Sequence, residues 1–144
     1  MNNYFSLALL IVSTFFTQLT SHGQENQGKP EHRIIFQLTS SDTNTHKQLV
    51  KQLNNILIAS PSSKLEVVCH GMGIEFLLND KSIVKDKVKD LREKGIEFVA
   101  CEFTMKEKKI EKEKLFPFTE TVKAGILEIV KKQELGWSYI KAGN

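Results

Sequence analysis

The sequence predicts an α/β fold, a three-layer α/β/α sandwich with a mainly parallel sheet of about five strands. Short runs rich in β-branched residues alternate with stretches whose apolar residues recur at helical spacing, in the order β-α-β-α-β-α-(β)-α-β. Parallel strands need crossovers, and right-handed crossovers bury both faces of a sheet. At 144 residues, 40% hydrophobic and with only 3 prolines, the chain suits one ordinary globular domain and is too short for two.

The elements follow in order. Arg33 to Leu38 (RIIFQL) is the first strand, and Ser40-Ser41-Asp42 after it are residues that cap helices. From Asn44 to Ala59 the apolar residues Leu49, Val50, Leu53, Ile56 and Leu57 keep helical spacing until Ser60-Pro61 ends the helix. Leu65 to Cys69 (LEVVC) is the second strand, running into Gly71-Met72-Gly73 and a short helical turn from Ile74 to Leu78. Ser82 is the expected cap of the next helix, whose stripe is Val84, Val88 and Leu91 and whose stop is Gly95. Ile96 to Cys101 (IEFVAC) is the third strand, followed at once by a helix from Glu102 to about Lys109. Leu115 to Phe118 reads either as a short fourth strand or as a loop packed on the core. Ile126, Leu127, Ile129 and Val130 mark the last helix, and Trp137 to Lys141 (WSYIK) the last strand.

Before this domain, residues 33–144, lies an address. All 20 Lys and Arg and all 17 Asp and Glu come after Gly23, whereas Tyr4 to Phe16 is almost continuously apolar. That run falls short of the ~20 residues of a membrane-spanning helix, and Ser21 and Gly23 are the small residues a signal peptidase requires before a cut at Gln24. Residues 1–23 are therefore read as a signal peptide, with no membrane association after cleavage and a periplasmic or secreted product. No cysteine directly follows the run, which argues against a lipid anchor. Residues 24–32 form a flexible leader, polar through Gln24 to Glu31.

Composition excludes several classes of function. A net charge of +3 is too mild for a nucleic-acid binder that works by neutralising phosphates, so no nucleic acid is expected. Two cysteines rule out a disulfide scaffold and any four-thiolate metal or cluster site. His22, His32, His46 and His70 show neither HExxH nor a CxxC partner, and there is no P-loop; neither metal nor cofactor is expected. Ser40, Ser41 and Asp42 stand in a cap context rather than a nucleophile elbow. The run Lys106 to Lys114 (KEKKIEKEK) reads as a solvated helix end rather than a partner-binding patch.

Chemistry in open parallel sheets gathers beyond the carboxyl ends of the strands, which directs attention to Ser40 to Asn44, His70 to Gly73, and Cys101. Cys101 is the sharpest candidate. It stands where a strand ends and a helix begins, so free N–H groups and the helix dipole would stabilise its thiolate; Lys106 and Lys108 would help if turned inward, and Glu102 would oppose. The competing reading is a buried, inert cysteine. His70 is the second candidate, a proton donor or acceptor to a nearby thiol. Cys69 reads as core, and Gly71-Met72-Gly73 as a tight turn. A Cys69–Cys101 bridge is not expected, because side chains on neighbouring parallel strands rarely point at each other.

From about Arg33 to Lys141 the chain resembles the DsrE/DsrF-like (YchN-like) family, in its small single-domain branch that often carries an export signal. The marks are Phe36-Gln37-Leu38-Thr39, Glu66-Val67-Val68-Cys69-His70-Gly71-Met72-Gly73, Gly95 through Met105 with its cysteine, Ala124 through Val130, and Gly136-Trp137-Ser138-Tyr139-Ile140-Lys141. The resemblance implies a parallel α/β fold, assembly into homo-oligomers (trimers or hexamers), and in the sulfur-relay members a cysteine that holds sulfur as a persulfide. Cys101 matches that cysteine. Phe103 stands where similar relatives usually carry Asn, and Lys108-Lys109-Ile110 lacks the glycine common after that helix. Two functions stand open. One is an exported sulfur handler, at most a sulfur carrier or sulfurtransferase-like protein, whose Cys101 meets a sulfur donor or acceptor with His70 and residues near Ser41 lining the pocket. The other is a noncatalytic oligomeric module with Cys101 inert or bridged to Cys69.

Overall fold

A computed structural model describes residues 31–143, so the expected signal peptide and residues 24–30 of the leader lie outside the described residues. Five strands form one sheet: β1 (Arg33–Leu38), β2 (Lys64–Cys69), β3 (Glu97–Cys101), β4 (Glu120–Val122) and β5 (Ser138–Ala142). Their order is β4-β3-β2-β1-β5, and every pairing is parallel. Helices α1 (Thr43–Ala59), α2 (Lys85–Glu93), α3 (Glu102–Lys108) and α4 (Gly125–Glu134) connect them, with 3-10 segments at Gly71–Leu77 and Lys112–Lys114. Among the described residues no helix is long and apolar enough to cross a membrane.

The chain walks outward from β1 to β4 and then returns to the other side of β1 as β5. With right-handed crossovers, such a reversal sends the returning helix to the opposite face from the earlier ones. The packing agrees. Phe36, Leu38, Leu65, Val67 and Phe98 meet α1 and α2 through Leu49, Leu53, Val88 and Leu91 in the main core. Among the described residues the other face is covered by α4, in a small core of Ile35, Val68, Val99 and Ile129. Alternation along the strands fixes this division: Val68 and Val99 face α4, whereas their neighbours Val67 and Phe98 face α1 and α2.

One local expectation changes and one open alternative is decided. Ser82 does not cap α2; the cap residue is Val84, which makes no side-chain capping bond, and the Ser82 hydroxyl lies buried in the preceding turn, two residues too early. Leu115 to Phe118 is the packed loop, not the strand. Leu115 bridges Leu78 and Phe116 N–H donates to Leu77 O, while Pro117 has no N–H to continue a ladder; the fourth strand forms three residues later. Lys109, although not a glycine, supplies the left-handed residue (φ 53°) that ends α3.

Gly73 is required by proximity. A Cβ there would stand 2.1 Å from Leu38 O, a backbone atom at the end of β1. Gly73→Ala should therefore lower unfolding stability by about 3 kcal/mol, at the upper end of overpacking costs. A urea titration reads this, and an unchanged midpoint would mean the turn relaxes freely.

Candidate functional site

Cys101 is the last residue of β3 and the N-cap of α3. The strand alternation puts Ala100 into the main core and turns Cys101 to the α4 face, where a Cβ built on Gly125 would lie 3.3 Å from Cys101 Cβ and 3.5 Å from His70 Cβ. The first residue of α4 thus sits between the two sequence-predicted site residues. Their strands β2 and β3 are neighbours, and both side chains leave the sheet at its carboxyl edge.

Cys101 is 6% exposed. Burial opposes its ionisation, but the backbone N–H of Gly125, the N–H and hydroxyl of Thr104, and the N–H of Phe103 together outweigh burial and hold the thiol below its ordinary value. The neutral thiol makes no capping hydrogen bond; these groups act on the thiolate. Thr104 is buried, and its Oγ1 accepts the Gly71 N–H at 3.1 Å, so its hydroxyl proton is left to the sulfur. The donors come from two helix starts, α3 and α4, whose dipoles add in the same sense. Lysines play no part: Lys106 is exposed and Lys108 Nζ lies 3.1 Å from Met72 Sδ, while Glu102 accepts from Thr121 Oγ1 at 2.9 Å.

His70 is held from the other side. Gln37 Nε2 donates to His70 Nε2 at 2.8 Å, and Tyr139 donates its hydroxyl to Gln37 Oε1. This network assigns the ring proton to Nδ1 and keeps the imidazole neutral, and burial lowers its pKa in the same direction. Cys101 and His70 are therefore not a thiolate–imidazolium pair.

The remaining candidates have structural roles. Asp42 caps α1 by accepting from Thr45 N–H at 2.7 Å, and Ser40 Oγ accepts from Asp42 N–H at 3.0 Å, so the Ser40 to Asn44 loop is occupied with the helix start. His46 is buried, with Nε2 bonded to Ser40 O at 2.8 Å. Cys69 is fully buried in the main core, burial pushes its thiol strongly up, and it faces away from Cys101; both cysteines are free. Among the described residues no group of His, Cys, Asp and Glu is placed to hold a metal. Sequence reasoning missed Gln37, Thr104, Gly125 and Tyr139 as site residues. Thr104 alone had a local signal, lying three residues after a cap position.

Removing the hydroxyl from the thiolate's surroundings has a definite sign. Thr104→Val should raise the Cys101 pKa by about one unit, since a hydrogen bond to a charged group contributes on the order of 1.5 kcal/mol. The alkylation rate below the ordinary thiol range should fall about tenfold with it. A pH series of iodoacetamide rates checks this, and an unshifted profile would remove Thr104 from the site.

The comparisons with known proteins bear on the whole domain. The model of the DsrE/DsrF-like family matches residues 32–142. Among solved structures, MTH1491 from Methanobacterium thermoautotrophicum, a protein of unknown function, superposes with a TM-score of 0.74 at 28% identity over 77% of this chain and 99% of its own. BT1422 from Bacteroides thetaiotaomicron, also of unknown function, shares the fold at a TM-score of 0.63 and 14% identity, over 76% of this chain and 93% of its own. No curated protein matches the chain. With the family model spanning the sheet, its helices and both site residues, the chain belongs to the DsrE/DsrF-like family.

Proposed function

We propose that this protein is a sulfur carrier whose Cys101 thiolate accepts a sulfane sulfur and passes it to a partner thiol. The observation that supports this most is the set of N–H and hydroxyl donors from α3 and α4 around a cysteine at the carboxyl edge of the sheet. The thiolate attacks the outer sulfur of a donor persulfide; the donor's S–S bond breaks, its electron pair leaves as the donor thiolate, and a new S–S bond forms on Cys101. Discharge reverses the pattern, with an acceptor thiolate attacking the terminal sulfur and Cys101 leaving as thiolate. No net oxidation occurs in either step. Gly125, Thr104 and Phe103 stabilise Cys101 both as nucleophile and as leaving group, and neutral His70 at its flank offers its Nδ1–H as a hydrogen-bond donor to the incoming or departing sulfur. Cys69, buried on the other face, takes no part.

Export and assembly complete the proposal. Cleavage before Gln24 would deliver the domain to a periplasmic or extracellular setting, where the donor must bring its own sulfane sulfur because no cytoplasmic thiol pool is present. A homo-oligomer, a trimer or hexamer as the family resemblance implies, is supported by apolar residues left exposed on α4 and β5: Ile126, Leu127, Val130, Tyr139 and Ile140. Trp137 and Phe118 contribute less, being half-buried against Lys132 and against Phe98 and Phe116.

Intact mass of the purified exported protein, before and after glutathione persulfide, tests the carrier reading. Wild type and Cys69→Ala should gain one sulfur atom that dithiothreitol removes, and Cys101→Ser should gain none. Loading that survives in Cys101→Ser, or is lost in Cys69→Ala, would assign the chemistry to another residue. Amino-terminal sequencing of the same sample should begin at Gln24, and light scattering should give a multiple of the chain mass; a retained amino terminus or a monomeric mass would overturn export or assembly respectively.

A further inference from the structure

One buried charge on the α4 face is unused by the chemistry at Cys101. Glu66, in the middle of β2, is 1% exposed; its Oε2 pairs with Lys132 Nζ of α4, and its Oε1 has no hydrogen-bond partner. Burial pushes its carboxyl up to about 7 in spite of the lysine. Two further carboxylates face the same cation, Glu128 of α4 at 3.8 Å and Glu97 of β3 at 3.9 Å, and Lys132 Nζ lies 4.5 Å from the centre of the Trp137 ring. From β1 the residue opposite Glu66 is Ile35, which carries no charge.

Lys132 follows Gly125 by seven residues, two helical turns, so the two share the sheet-facing side of α4 with Ile129 between them. Gly125 rests on Cys101 and His70 at one end, and Lys132 rests on Glu66 at the other. The apolar contact between these ends is small: Ile129 against Ile35, Val68 and Val99. Apolar packing is non-directional and permits a helix to slide or roll, whereas an ion pair to a buried carboxylate on a central strand fixes both.

We propose that the Glu66–Lys132 pair is a positioning device for Cys101, anchoring α4 so that the Gly125 N–H stays on the sulfur and the thiol's reactivity depends on a salt bridge two turns away. Neither residue touches the thiol; both act through the helix. The inference deepens the carrier reading and rests on it.

The test is the pH profile of iodoacetamide alkylation of Cys101, read by peptide mass mapping on the purified full-length product. Lys132→Met keeps the stem over Trp137 and removes the charge. It should shift the profile upward by about half a pKa unit, slowing alkylation about threefold at pH values where Glu66 is ionised and the thiol only partly so. Lys131→Met loses the same charge from an exposed position one residue away and should leave the profile unchanged. Glu66→Gln keeps the shape of the buried side chain and should shift the profile in the same direction as Lys132→Met; it also serves if circular dichroism shows that Lys132→Met fails to fold. Folded variants with the wild-type profile, or equal shifts from Lys131→Met and Lys132→Met, would overturn the proposal while leaving the carrier reading intact. A wild-type Cys101 that does not react at pH 6 would remove both.

Discussion

The crossovers between parallel strands in this protein turn one way, and the placement of every side chain that matters follows from that constraint. Moving outward through β2, β3 and β4 puts α1 and α2 on one face; returning to β5 puts α4 on the other. The face packed against α1 and α2 carries most of the apolar burial. The face packed against α4 carries the candidate site and the buried carboxyl. Cys69 and Cys101 illustrate the division, since a shift of one residue in strand phase separates a core thiol from the candidate one.

At Cys101 the electrostatics rest on dipoles and not on ions. A thiol that is nearly buried should resist ionisation, and burial is indeed the largest single influence on it. Four donor groups from two helix starts reverse the balance because they are already oriented by the backbone and by Thr104's bond to Gly71, and need no rearrangement when charge develops. The neutral His70, fixed by Gln37 and Tyr139, leaves the sulfur without an imidazolium partner. For the proposed sulfur transfer, the same groups that favour attack by the thiolate also favour its departure.

The second helix start reaches the sulfur only because α4 lies at the right height on the sheet, and the adjacent helix surface is unusually bare. Its outer residues Ile126, Leu127 and Val130 are exposed, and its inner contact is a handful of aliphatic side chains. A buried carboxylate on the central strand β2 is costly in such a place, and its retention beside Lys132 makes physical sense if orientation of the helix matters more than its adhesion.

Much of this was legible in the sequence. The β-branched runs at Arg33, Leu65 and Ile96 and the helical spacing of Leu49, Val50 and Leu53 report burial directly, because period is a local property. Cys101 at a strand-to-helix junction was legible for the same reason, and so was the family through its ordered motifs. Weak local signals were insufficient where tertiary contacts decide: Ser82 looked like a cap and is not one, and Leu115 to Phe118 stood open between strand and loop until its packing on Leu77 and Leu78 decided for the loop. Only the tertiary structure could bring Gly125, 24 residues beyond Cys101, to within contact of it, or place Tyr139, 102 residues from Gln37, in one hydrogen-bond chain with His70. The sequence by itself determined which segments are strands, which are helices and which cysteine ends a strand. The sheet order and the face on which α4 returns determined what surrounds that cysteine, because a chain's local periodicities carry no information about which distant segments the crossovers will make neighbours.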